Sequence, residues 1–176
     1  MKLQFKTVYG ADGEHDSPYL TRVIVGRLRL HIFHRGDEDP DPHDHPWGFW
    51  TFPLTSYEEE VTVPDPSATA IDAYITYRQV VRSFRPQYRP ASHTHRVLGR
   101  VRRVGVAHLL AKLANRLDLV PYIYGTWVPV PGRIVTLVWR ERTSRPWGFL
   151  KSRDGKWCWV AWRDYCFNGG KNAPCE

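Results

Sequence analysis

Cysteine is scarce in this chain: three residues in 176, Cys158, Cys166 and Cys175, all late and with no CxxC spacing. That spacing matches no familiar zinc pattern. An odd count points to reduced thiols, and so to a cytoplasmic protein. The first residues, MKLQFKTVYG, lack the apolar core that follows the lysines of a secretory leader. No apolar run approaches the length of a membrane span. No run of only lysine and arginine occurs, which argues against a disordered nucleic-acid-binding tail. Neither GxSxG nor a P-loop is present, so a serine-hydrolase elbow and a phosphate-cradling glycine loop have no basis here. Internal repeats and low-complexity tracts are absent too.

What is present is an ordinary globular composition, 42% hydrophobic and 24% charged. The length suits one domain over residues 1–176 with a core of its own. Aromatic residues reach 14%, eight of them Trp; they favour strands and can line pockets. The formal net charge is +7. Six of the 25 basic residues are Lys and the rest Arg, the side chain that pairs bidentately with carboxylates and phosphates. The charge therefore allows a solvated surface, an anionic ligand or a nucleic acid.

Period-2 alternation dominates. In residues 21–35, Leu28, Leu30 and Ile32 share one face, and Arg27, Arg29 and His31 share the other. The loop GDEDPDP follows. HDHPWGFWTFPLTSYEEEVTV reads as strand, turn near Pro53–Ser56, and strand. AYITYRQVVRSFRP is a long strand candidate, YRPASHTHRVLG a turn and a short strand, and GRIVTLVWRER another strand. Residues 104–119 break the pattern, with Leu109, Leu110, Leu113 and Leu117 at helical spacing and Pro121 just beyond. The tail is expected to form a hairpin turned at Arg153–Gly155, because Asp154-Gly155 is a hairpin-turn dipeptide. Many short strands separated by turns predict a mainly β sandwich or barrel with one inserted helix.

The chemistry lies in the histidines. Residues i and i+2 of a strand face one way, so His43 and His45 can grip one ion, with Asp44 facing away. His93 and His95 repeat the spacing on a later strand. Imidazole suits Fe, Zn, Ni and Cu.

The segment from Gly36 to His45 resembles the first cupin motif, in which a glycine precedes a His-x-His pair. Pro90 to His95 is similar to the second, Pro-x-Gly-x-x-His, with Ser92 in the place of glycine. More narrowly, HRGDEDPDPHDHPWGFW, HRV and RPWGF…WVAWRDY resemble a group of small bacterial and phage cupin-like proteins, over roughly residues 30–165. The resemblance implies an antiparallel, jelly-roll-like cupin barrel in which residues 104–119 are an insertion. It implies a divalent metal ion (Fe, Zn, Mn or Ni) on His43, His45 and His95, with His93 as a fourth ligand or a partner of the ligands. It also implies a homodimer. The cupin pattern places a Glu shortly after its second His; PWGFWTF has none. Glu58, Glu59 and Glu60 fall on a strand expected to run away from the site, which favours three histidines with open positions.

Arg29, Arg85 and Arg89 are candidates to present guanidinium groups to an anion, with a solvated surface as the plainer reading. At most one of His31 and His34 can point inward. Trp47 and Trp50 can wall a pocket or pack in the core; Trp147, Trp157, Trp159 and Trp162 read as packing. The leading expectation is a metal-dependent enzyme acting on a small anionic molecule, with dioxygenase- or isomerase-like chemistry. Its alternatives are a non-catalytic small-molecule or nucleotide-binding module and an Arg-rich nucleic-acid-associated protein, whose binding would fall steeply with salt.

Overall fold

The computed structural model describes residues 2–10, 16–68, 73–105 and 126–176. The alternating segments become twelve strands: β1 (Leu3–Val8), β2 (Leu20–Val25), β3 (Leu28–Phe33), β4 (Phe49–Pro53), β5 (Tyr57–Pro64), β6 (Tyr74–Val81), β7 (Gln87–Arg89), β8 (Thr94–Val104), β9 (Thr126–Pro129), β10 (Ile134–Arg140), β11 (Gly148–Arg153) and β12 (Lys156–Ala161). Glycine and proline set several breaks. Gly26, at φ 61°, turns β2 back onto β3 within residues 21–35. Asp154 and Gly155, both at positive φ, make the two-residue turn between β11 and β12.

Six strands form one sheet in the order β1-β2-β3-β10-β4-β7, and four form another, β6-β5-β8-β9. Every pairing is antiparallel. The β11-β12 hairpin joins the second sheet through residues 42–44: His43 bridges both His95 of β8 and Phe149 of β11, and Pro42 and Asp44 make the backbone hydrogen bonds to Leu150 and Gly148. The mainly antiparallel β fold expected from the alternation is therefore observed, and its curled sheet is compatible with a cupin-type barrel.

Two buried apolar clusters close the space between the layers. Tyr57, Val81, Val97 and Ile134 pack with Phe33, and Trp47, Phe49 and Val138 form the other. Between them the six-stranded sheet turns an unusual face inward. Arg22, His31 and Thr136 lie side by side across β2, β3 and β10, with Arg29 on the same face. Its outer face carries Leu28, Leu30, Ile32, Trp50 and Trp139.

One sequence expectation changes, that on the cysteines. Beyond Val104, which ends β8, and Gly105, the helix expected over residues 104–119 lies outside the described residues. The described helix is α1 (Trp162–Phe167), which ends the tail hairpin instead of a further strand. Nor are all three cysteines reduced: Cys158 and Cys175 form a disulfide with a Cα–Cα separation of 5.6 Å, and Cys166 takes no part in it. The cause is a returning C-terminal segment that local spacing does not reveal. The buried Lys151 ammonium donates to the carbonyls of Gly170 (2.6 Å) and Ala173, drawing residues 170–175 back along β11. No described helix is long and apolar enough to cross a membrane.

Candidate metal centre and its cavity

His43 is held by backbone. Its N–H and C=O exchange hydrogen bonds with those of His95, both at 2.9 Å. His43 and His45 do not lie on a regular strand, yet both rings reach the same cavity. Asp44 between them faces away and is buried. Its carboxylate accepts from the Gly148 N–H (2.8 Å) and the Trp159 indole N–H (3.0 Å) and pairs with Arg145 (2.8 Å). The HDH triplet thus sends two imidazoles inward and one carboxylate outward, where it anchors the β11-β12 hairpin.

One ligand nitrogen from each of His43, His45 and His95 falls in a group spanning no more than 4.8 Å. The Nε2 atoms of His45 and His95 are 3.0 Å apart. Two nitrogens about 2.1 Å from a shared ion, at right to tetrahedral angles, are separated by roughly 3.0–3.4 Å. The donor set and its spacing therefore fit a divalent cation. Burial is the main force lowering the pKa of His43, to about 4, and of His45, well below the usual imidazole range. Neutral imidazole is the metal-binding form.

Glu59 stands behind His95, and here the sequence expectation fails. In β5, Glu59 pairs with Val97 and Val61 with His95, so Glu59 shares the inner face with His95. A bulge between Glu58 and Glu59 sets that register. Glu59 is fully buried. Its Oε2 lies 2.8 Å from His95 Nδ1, while Oε1 accepts from Gln79 (2.6 Å) and from the Arg89 guanidinium. Burial alone would raise its pKa; the hydrogen bond and charge of His95, then Arg89 and His93, bring it down to about 2. A carboxylate on Nδ1 orients the ring and directs Nε2 toward the cavity. The register of β5 against β8 was needed to see this, and no local motif carries it.

His93, Glu59 and His95 form a second cluster of metal-capable groups. Its free valences are largely used: Arg89 donates to His93 Nε2 at 3.0 Å, and Glu59 already accepts from three side chains.

The cavity in front of the three imidazoles has a volume of ≈ 430 Å³. Trp47 is one wall, stacked on His45 with ring centroids 5.5 Å apart. Trp147 and Trp162, stacked on each other at 9°, form another, so they line the space as well as pack. Trp50 is half exposed on the outer face of the sheet against Tyr88, away from the cavity. The three arginine candidates part company. Arg29 lines the cavity, with its Cζ 5.2 Å from the Trp47 ring centroid. Arg89 is buried but committed to Glu59, Gln87 and His93. Arg85 is exposed. His31 is buried along the cavity, whereas the His34 Nε2 bonds Thr21 Oγ1 at 2.9 Å. Arg22, which no sequence signal singled out, also lines the cavity.

The fold and these clusters define a mainly antiparallel β protein, its curled sheet compatible with a cupin-type barrel, with histidine and glutamate groups capable of holding a metal ion. No family model and no curated protein matches the chain. Among solved structures it is similar to hydroxypropylphosphonic acid epoxidase from S. wedmorenis, at 7% identity and a TM-score of 0.38, covering 77% of this chain and 54% of that one. It is also similar to Fe(II)-HppE with the alternative substrate (S)-1-HPP, at 7% identity and a TM-score of 0.37, covering 77% and 55%. The chain spans about half the length of these structures.

Proposed function

We propose that this protein is a metal-binding cupin of the small HDHPW type, whose His43, His45 and His95 hold a divalent ion and act on a small anionic molecule. The observation that supports it is the convergence of three imidazole nitrogens at the wall of one cavity, the third imidazole oriented by a buried carboxylate. A divalent ion held by three imidazoles with open positions supplies Lewis-acid or redox chemistry. The chain supplies the rest. Glu59 fixes the His95 tautomer so that Nε2 keeps its lone pair, and Arg89 and Gln79 fix Glu59. Trp47 and Phe49 pack against His45 and limit its rotation, while Trp147 covers the edge of His43. These aromatic rings wall the cavity beside the imidazoles.

Metal content per chain tests the reading. His43→Ala, His45→Ala and His95→Ala should each lose the ion on dialysis. Glu59→Gln should weaken retention by roughly ten- to a hundredfold, the range for partners of metal-bound histidines. His93→Ala should retain it. Equal retention in all variants, or no ion bound by the unmodified chain under any loading condition, rejects the centre.

A further inference from the structure

Away from the imidazoles, the cavity wall made by β2 and β3 carries polar groups that no described residue satisfies. The Nε atoms of Arg22 and Arg29 and the Nε2 of His31 are buried, with no hydrogen-bond partner. His31 is 6% exposed. Arg22 sits directly across the β2-β3 ladder from His31, and Arg29 is two residues before it, so all three project from one face into the same space. Neither guanidinium, each half-buried, makes a hydrogen bond or an ion pair with a described residue, although its Nε is shielded from water. The other charged groups along the cavity are largely engaged elsewhere. Arg35 pairs with Glu38 at 2.7 Å, Asp37 accepts from the Val97 N–H at 2.6 Å, and Asp39 pairs with Lys171 at 2.6 Å. Two cations and a donor-capable imidazole therefore face the cavity without a hydrogen bond or ion pair to any described residue, although Asp37 and Asp39 also line it.

We propose that Arg22, Arg29 and His31 form an oxyanion-binding subsite, so that the ligand carries a carboxylate or phosphate-type group at one pole and presents its other pole to the three imidazoles. This rests on the reading of the cavity as the site of a small anionic ligand, and assigns the residues that recognise the charge. Guanidinium is suited to both anions because its donors match paired oxygens. The two poles adjoin: Arg29 lies over Trp47, and Trp47 stacks on His45. Arg22, His43 and His45 line the same cavity. Burial, then the charges of Arg140 and Arg22, brings the Arg29 guanidinium down to about 10, a field that an anion would relieve. The Trp47 indole, in contact with both poles, reports occupancy without a label.

Titration of the full chain with inorganic phosphate and, separately, with succinate, followed by Trp fluorescence and calorimetry, tests the assignment. It is run on protein as purified and again after chelator treatment, so its outcome does not depend on a metal. Saturable binding of at least one anion is expected in both preparations. Arg22→Gln and Arg29→Gln should each weaken it roughly ten- to a hundredfold, as loss of a charge-assisted bond predicts. Both variants should melt no lower than the unmodified chain, since each removes a half-buried cation that pairs with no described residue. Arg85→Gln, at the exposed surface, should bind like the unmodified chain. The stronger of the two anions identifies the group as phosphate-type or carboxylate. Absence of saturable binding for both anions overturns the subsite, as does unchanged affinity in both cavity variants. Anion binding that survives in His95→Ala while the ion is lost separates the two claims. A retained ion with no anion binding would overturn the subsite alone.

Discussion

The two faces of the six-stranded sheet invert the usual rule. The inner face carries Arg22, Arg29, His31 and the hydrogen-bonded pair Thr51–Thr136, whose hydroxyls are 2.7 Å apart. The outer face carries Leu28, Trp50 and Trp139, each 41–52% exposed. A sheet that served only to build a core would place its leucines inward and its arginines outward. Here the strict alternation of β3 is kept but its polar side is buried. The inner face thus sets a polar strip of Arg22, Arg29 and His31 beside the buried apolar clusters, and that strip faces the cavity. The sheet that frames the site is thus tuned for the contents of that cavity as well as for packing.

If the inner face is where tight polar coupling resides, the largest effect should come from the carboxylate that the imidazoles and Arg89 share. Glu59→Ala leaves Arg89 buried without its partner, and a broken buried ion pair typically costs about 3–5 kcal/mol. A urea denaturation midpoint barely changed from that of the unmodified chain would show that Glu59 is dispensable to the fold.

Acid should act next. In metal-stripped protein, burial holds His31, His43, His45 and His93 at lowered pKa values, about 4 for His43 and about 3 for His93. Between those values and about 6.5, the unfolded chain binds more protons than the folded one. Stability should therefore fall as pH drops from about 6.5 to 4, by an amount on the order of a few kcal/mol. Glu59 adds a second loss at lower pH: its contribution is present above about 4.5 and disappears as pH falls through its folded value of about 2. Denaturation midpoints that stay flat from pH 7 to 4 would contradict the burial of these rings.

The smallest effect should be on the other face. Trp139→Thr keeps strand propensity while removing a side chain that is half in water, and should change stability by less than about 1 kcal/mol. A loss as large as that of Glu59→Ala would mean that the outer face is covered in solution, and the contrast between the faces would fail.

Much of the layout was legible from local chemistry. Asp154-Gly155 marks its hairpin because both residues accept positive φ, and the turn near Pro53–Ser56 separates β4 from β5 as its composition suggests. What could not be read depends on contacts distant in sequence. Glu59 meets His95 through the register of β5 on β8 and a one-residue bulge, and nothing near Glu59 announces either. Arg22 looked like any strand arginine, because alternation says which residues share a face but not which face is inside. Cys158 finds Cys175 only because the C-terminal segment returns to β11. Trp50 and Trp47 are three residues apart and were equal candidates for the pocket wall. The pleat and the direction of β4 send Trp50 outward.

The bridge between His43 and His95 has one more consequence. Two of the three imidazoles belong to residues whose amides hydrogen-bond each other's carbonyls, so the spacing of their Cα atoms is set by a backbone ring and only the ring orientations are left to side-chain rotamers. Because His43 also ties β8 to the β11-β12 hairpin, the amides of His43 and His95 can exchange with deuterium only when that seam opens. Slow exchange at these two positions would measure directly how much of the centre's geometry is already in place before any ligand arrives.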